Sequence, residues 1–79
     1  MLNYDEWTFF KRAILRYLDQ FKKIELEDIN PLIAFLHGDD SRFIKCGRVE
    51  IGDALNDLVT SSNVQMRITQ EGRIVFYEK

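Results

Sequence analysis

The residues able to do chemistry in this chain are few and scattered. The single histidine, His37, is followed by Gly38, Asp39 and Asp40, and the single cysteine is Cys46. A stable zinc site generally takes three or four ligands rich in His and Cys, so His37 with two aspartates is a poor set. Cys46 as a nucleophile would need a base, and His37 is the one imidazole present. Ser41, Ser61 and Ser62 lack a nucleophile-elbow context. The four glycines stand apart at 38, 47, 52 and 72, so no phosphate-cradling loop forms. The expectation is a chain with no catalytic residues, no metal and no cofactor. His37 then reads as a helix C-cap or a plain surface residue, and Cys46 as a small buried or half-buried side chain.

The elements that carry these residues follow from composition and periodicity. Seventy-nine residues, 46% hydrophobic and 30% charged, with one proline, describe one globular domain spanning 1–79. A domain of this size buries roughly 60–65% of its unfolded surface, so stability is modest. Six Phe, three Tyr and Trp7 offset this, because each aromatic buries a large area. No apolar run reaches the roughly 20 residues of a membrane span. The stretch Met1 to Trp7 lacks the basic and apolar regions of a signal peptide. One cysteine excludes an intrachain disulfide, and a reducing, cytoplasmic location is expected.

Asn3 and Glu6 have capping-box spacing. Trp7, Phe10, Ile14, Tyr17 and Phe21 then recur at intervals of three and four, widened by Ala13 and Leu18, so a first helix is predicted over 4–22. Phe9 and Leu15 lie off this stripe, either as ordinary exposed apolar residues or as residues that pack against another segment or another chain, including a second copy. Ile24-Glu25-Leu26 alternates like a short strand. Asn30-Pro31 opens a second helix over 31–37, with Leu32, Ile33, Phe35 and Leu36 apolar and Gly38 as its left-handed C′ residue. Over 39–48, Asp40 or Ser41 caps a turn that ends at Cys46-Gly47, with Phe43 and Ile44 directed to the core.

A third helix is predicted over 49–61. Ile51, Ala54, Leu55 and Leu58 form its apolar face, and Glu50, Asp53, Asn56, Asp57 and Thr60 its solvent face. Gly52 inside it is unfavourable by about 1 kcal/mol relative to Ala. It either admits a close neighbour or is merely tolerated. The last segment is a hairpin with Gln70-Glu71-Gly72 as a three-residue loop and Gly72 at positive φ. Ile68 then faces Ile74, Arg67 faces Val75 and Met66 faces Phe76. Ile68, Ile74, Met66 and Phe76 share an apolar face, and Arg67, Thr69, Arg73, Val75 and Tyr77 a mixed one. The predicted class is α+β, three helices followed by a C-terminal antiparallel hairpin.

Helix, short strand, helix, helix and hairpin is an order that resembles the winged-helix fold, with residues 64–78 around Gly72 as the wing. That resemblance implies DNA binding through the third helix and the wing, or, in a minority of such domains, protein binding. Fold alone does not decide between them.

Charge patterning bears on the choice. The net charge is −2, arranged in blocks: acids over 24–41, Arg42, Lys45 and Arg48 next, then Glu50, Asp53 and Asp57. Duplex DNA carries a negative charge about every 1.7 Å, and the acids on the third helix repel it. Among its exposed residues only Asn56 suits a base edge. The favoured expectation is a non-catalytic protein-interaction module using Glu50, Asp53, Asn56, Asp57 and Phe9, with an unidentified protein partner or a homodimer through the first helix. The alternative is a regulator of double-stranded DNA using Arg42, Lys45, Arg48, Arg67 and Arg73 on phosphates.

Overall fold

The computed structural model describes residues 2–79. Its elements are α1 (Tyr4–Phe21), β1 (Lys23–Glu25), a 3-10 turn (Leu26–Asp28), α2 (Asn30–Asp39), a second 3-10 turn (Ser41–Lys45), α3 (Arg48–Thr60), β2 (Val64–Ile68) and β3 (Ile74–Glu78). The protein is α+β: three helices and one three-stranded antiparallel sheet of order β1-β3-β2. This arrangement is compatible with a winged helix.

Local chemistry starts α1 where the sequence signals it, whereas α2 begins at Asn30 with Ile29 as its cap and no side-chain capping bond. The Glu6 N–H donates to Asn3 Oδ1 at 2.8 Å and the Asn3 N–H to Glu6 Oε1 at 3.2 Å. That reciprocal pair satisfies two donors at the start of α1. The helix stops at Lys22, which is left-handed at φ 76°. The hairpin has the expected register, Ile68↔Ile74, Arg67↔Val75 and Met66↔Phe76. Gly72 stands at φ 83°, a conformation that glycine adopts without a Cβ clash.

The core lies between the helices and one face of the sheet. Phe10, Ile14 and Leu18 of α1 meet Leu32 and Leu36 of α2, Ile51, Leu55 and Leu58 of α3, and Ile24, Val64 and Phe76 from the strands. Phe43 and Cys46 also enter it. Phe10 and Phe43 pack edge to face with centroids 5.1 Å apart, a favourable quadrupole geometry.

Several expectations are corrected. Met66 and Ile68 are 47% and 65% exposed rather than buried. They sit on the core-side face, but β2 is an edge strand, and the helices cover that face only as far as Val64. Val75, expected on the mixed face, is buried on the central strand, flanked by Glu25 and Arg67. Ile44 is 59% exposed, because the 3-10 turn directs only its neighbour Phe43 inward. Phe21 is half exposed at the end of α1, on the rim of an aromatic group with Tyr17 and Phe35. Trp7 is only partly buried, as are Ile33 and Phe35. Gly38 is not a C′ residue: α2 continues through it to Asp39, and Asp40 is the extended cap.

Candidate functional site

The acidic set on α3 separates into three roles. Glu50 Oε1 accepts the Gly47 N–H at 2.6 Å, so this carboxylate closes the start of α3, where negative charge also suits the helix dipole. Asp57 turns toward α1. Its Oδ2 accepts from Trp7 Nε1 at 3.0 Å and lies 3.7 Å from Lys11 Nζ. Asp53 alone among the three has neither an ion pair nor a side-chain hydrogen bond among the described residues. The continuous acidic face expected from the sequence is therefore not present as such. What α3 presents outward is Arg48, Val49, Asp53, Asn56, Asp57 and Thr60, all exposed, with Val49 72% exposed near its head. Val49, Asp53, Asn56 and Thr60 form one stripe with a single acid, flanked by Arg48 and Asp57.

The basic set separates likewise. Arg42 forks onto Asp40, with Nη2 2.6 Å and Nε 3.1 Å from Oδ2, and its guanidinium stands 5.5 Å from the Phe9 ring centre. The side-chain hydrogen bond from Arg42 is the main reason the Asp40 carboxyl falls to a pKa of about 2. Arg73 approaches Glu27 at 3.6 Å. Arg67 stands 6.0 Å over the Tyr77 ring. Among the described residues, Lys45, Arg48 and Arg67 have no carboxylate within ion-pair distance.

Phe9, under the Arg42 guanidinium, is still 46% exposed, and Leu15 packs partly buried against the core.

A cleft of about 920 Å³ opens between the start of α1, the 3-10 turn and the start of α3. Leu2, Trp7, Arg42, Ile44, Lys45 and Glu50 line it, with Cys46 inside. The fold thereby joins Arg42 and Lys45 with Glu50, drawn from opposed charge blocks. Trp7, Ile44 and Leu2 are site residues that sequence reasoning assigned elsewhere or omitted. Their partial exposure depends on how far the 3-10 turn stands from α1, which no periodicity encodes.

The histidine and cysteine have structural partners. His37 Nε2 lies 3.1 Å from the Cys46 carbonyl oxygen. Since a carbonyl only accepts, Nε2 carries a proton there. His37, the basic residue of the last turn of α2, therefore also ties α2 to the segment before α3. Burial first, and the nearby Glu50 charge second, push the Cys46 thiol up, which disfavours the nucleophilic thiolate. Asp39 pairs with Arg16 at 2.6 Å and Asp40 with Arg42, so the three candidate ligands around position 38 face different partners. Among the described residues, no helix is long and apolar enough to cross a membrane.

Compared with protein-family models, curated proteins and solved structures, the chain matches none.

Proposed function

We propose that the protein is a winged-helix-like, non-catalytic protein-interaction module that docks a partner through the outward stripe of α3 and the adjoining cleft. The observation that carries this reading is Val49, 72% exposed, leading a stripe with Asp53, Asn56 and Thr60 in which Arg48, beside it at the helix start, is the one exposed cation. Exposed apolar groups rimmed by mixed charge are the anatomy of a protein-binding surface. Ile44 adds a second exposed apolar side chain in the cleft beside it. A phosphate-binding helix face would instead be cationic.

The second reading is a DNA-binding regulator. It is supported by the freedom of Lys45, Arg48 and Arg67 from ion pairs, which leaves three charges ready for phosphates. The intramolecular ties of Arg42 and Arg73 reduce the basic set expected for it.

Photo-crosslinking in cells separates the two. A benzophenone side chain replacing Val49 or Asn56 is expected to give a discrete protein adduct, and one replacing Gln20 is not. Adducts to nucleic acid, or none from α3, would overturn the proposal.

A further inference from the structure

The sheet has two free edges, β1 and β2, and they differ in what they offer. β1 is three residues long and carries the Lys23–Glu25 ion pair, and short, charged edges resist pairing. β2 is five residues long, with Arg67 as its only charge.

The hydrogen-bond pattern determines what β2 presents. The Thr69 N–H donates to the Arg73 carbonyl at 2.8 Å, and the Lys79 N–H to the Asn63 carbonyl at 3.3 Å. In an antiparallel ladder bonded pairs alternate with unbonded ones. In the observed register the odd-numbered residues of β2 bond to β3. The N–H and C=O groups of Val64, Met66 and Ile68 therefore point away from the sheet, along the same strand whose Met66 and Ile68 side chains are exposed.

We propose that β2 pairs antiparallel with β2 of a second copy, about a twofold axis at Met66, forming a six-stranded sheet of order β1-β3-β2-β2-β3-β1. The strand is its own complement in this register. Each Met66 faces the other Met66, and each Val64 faces the second copy's Ile68. All three outward residues then lie in bonded pairs, giving about six hydrogen bonds. Met66 and Ile68 from both copies fall on one face and cover one another. Arg67 stands opposite Gln65 of the second copy, whose amide oxygen can accept from it, so no like charges oppose. A slip of one residue would put unbonded positions opposite bonded ones and reverse the faces. Two partly exposed side chains and a five-residue edge cover well under the about 800 Å² per partner of a tight interface. The dimer is accordingly weak, with Kd on the order of 0.1–1 mM.

The test is an amide-shift series of the labelled chain from about 20 μM to about 1 mM, with a mixed-label sample at the top concentration. The expected result is concentration-dependent shifts centred on Val64, Met66 and Ile68. An intermolecular contact between the α-protons of Gln65 and Arg67 should accompany them, because unbonded antiparallel pairs bring Cα atoms to about 4.5 Å. Met66→Lys puts two ammonium groups at the axis and should abolish both signals, leaving the remaining spectrum in place. A chain that is monomeric at about 1 mM would overturn the proposal and leave the edge to an extended segment of another protein. Association centred on Phe9 of α1, or undiminished in Met66→Lys, would also overturn it.

Discussion

The indole of Trp7 donates its Nε1 hydrogen to the carboxylate of Asp57 at 3.0 Å, joining the first turn of α1 to the third turn of α3 across fifty residues of chain. The bond sits at the surface, and Lys11 supports the same carboxylate from one turn further along α1. Asp57→Ala removes the acceptor and is expected to destabilise the protein by about 1 kcal/mol. Asp57→Asn keeps an acceptor oxygen and should lose less. Urea unfolding followed by Trp7 fluorescence measures both, and the folded-state emission should change in Asp57→Ala.

Two glycines are expected to respond oppositely to alanine. A Cβ at Gly52 would meet nothing within 4 Å, so this residue is tolerated and admits no close neighbour. Gly52→Ala should stabilise by about 0.5–1 kcal/mol through helix propensity and a less flexible unfolded chain. Gly72 stands at φ 83°, and Gly72→Ala should destabilise by about 1–2 kcal/mol, the strain of a left-handed alanine. Thermal unfolding of the two variants side by side is the check.

The Asp40–Arg42 fork predicts a specific acid response. The carboxyl titrates at about 2 instead of 3.8. A depressed folded-state value means that the contribution of the fork is complete above about pH 4 and fades as the pH falls toward 2. Carbon-detected titration of the Asp40 carboxyl should give a midpoint well below those of ordinary aspartates. In Arg42→Gln that midpoint should rise toward the ordinary range, held somewhat below it by the residue-42 N–H that still donates to Asp40, and the Phe9 ring should become more exposed.

The link between His37 and Cys46 gives a paired expectation. His37→Ala leaves the Cys46 carbonyl without this donor and should destabilise by about 1–2 kcal/mol. Cys46, buried and with its thiol pushed up, should react slowly with a thiol reagent in the folded protein and quickly in denaturant. His37→Ala should speed the native-state reaction by loosening the segment between α2 and α3.

Local rules made most of the architecture legible in the sequence. The Asn3/Glu6 box, the stripe from Trp7 to Tyr17, the α3 apolar set and the register set by Gly72 all depend on neighbours a few residues apart. What escaped depends on partners distant in sequence. Nothing near Asp57 announces Trp7, and nothing near Phe9 announces Arg42. Hairpin alternation puts Met66 and Ile68 on the core-side face, but how far the helices extend over an edge strand is a tertiary matter. Ile29 is buried between two short elements, where no period is long enough to reveal a face. The candidate site was legible in its residue types more than in its geometry: the acids of α3 were found, but the intramolecular roles of Glu50 and Asp57 were not.

Titrating the labelled protein with a mixed-sequence DNA duplex at low and moderate salt addresses the central proposal most directly. A protein-docking α3 predicts no coordinated shift of the amides of residues 42–48 and 67–73, even at low salt, where phosphate attraction is strongest. Shifts of both segments together, weakening as salt rises, would contradict it and establish Lys45, Arg48 and Arg67 as phosphate contacts.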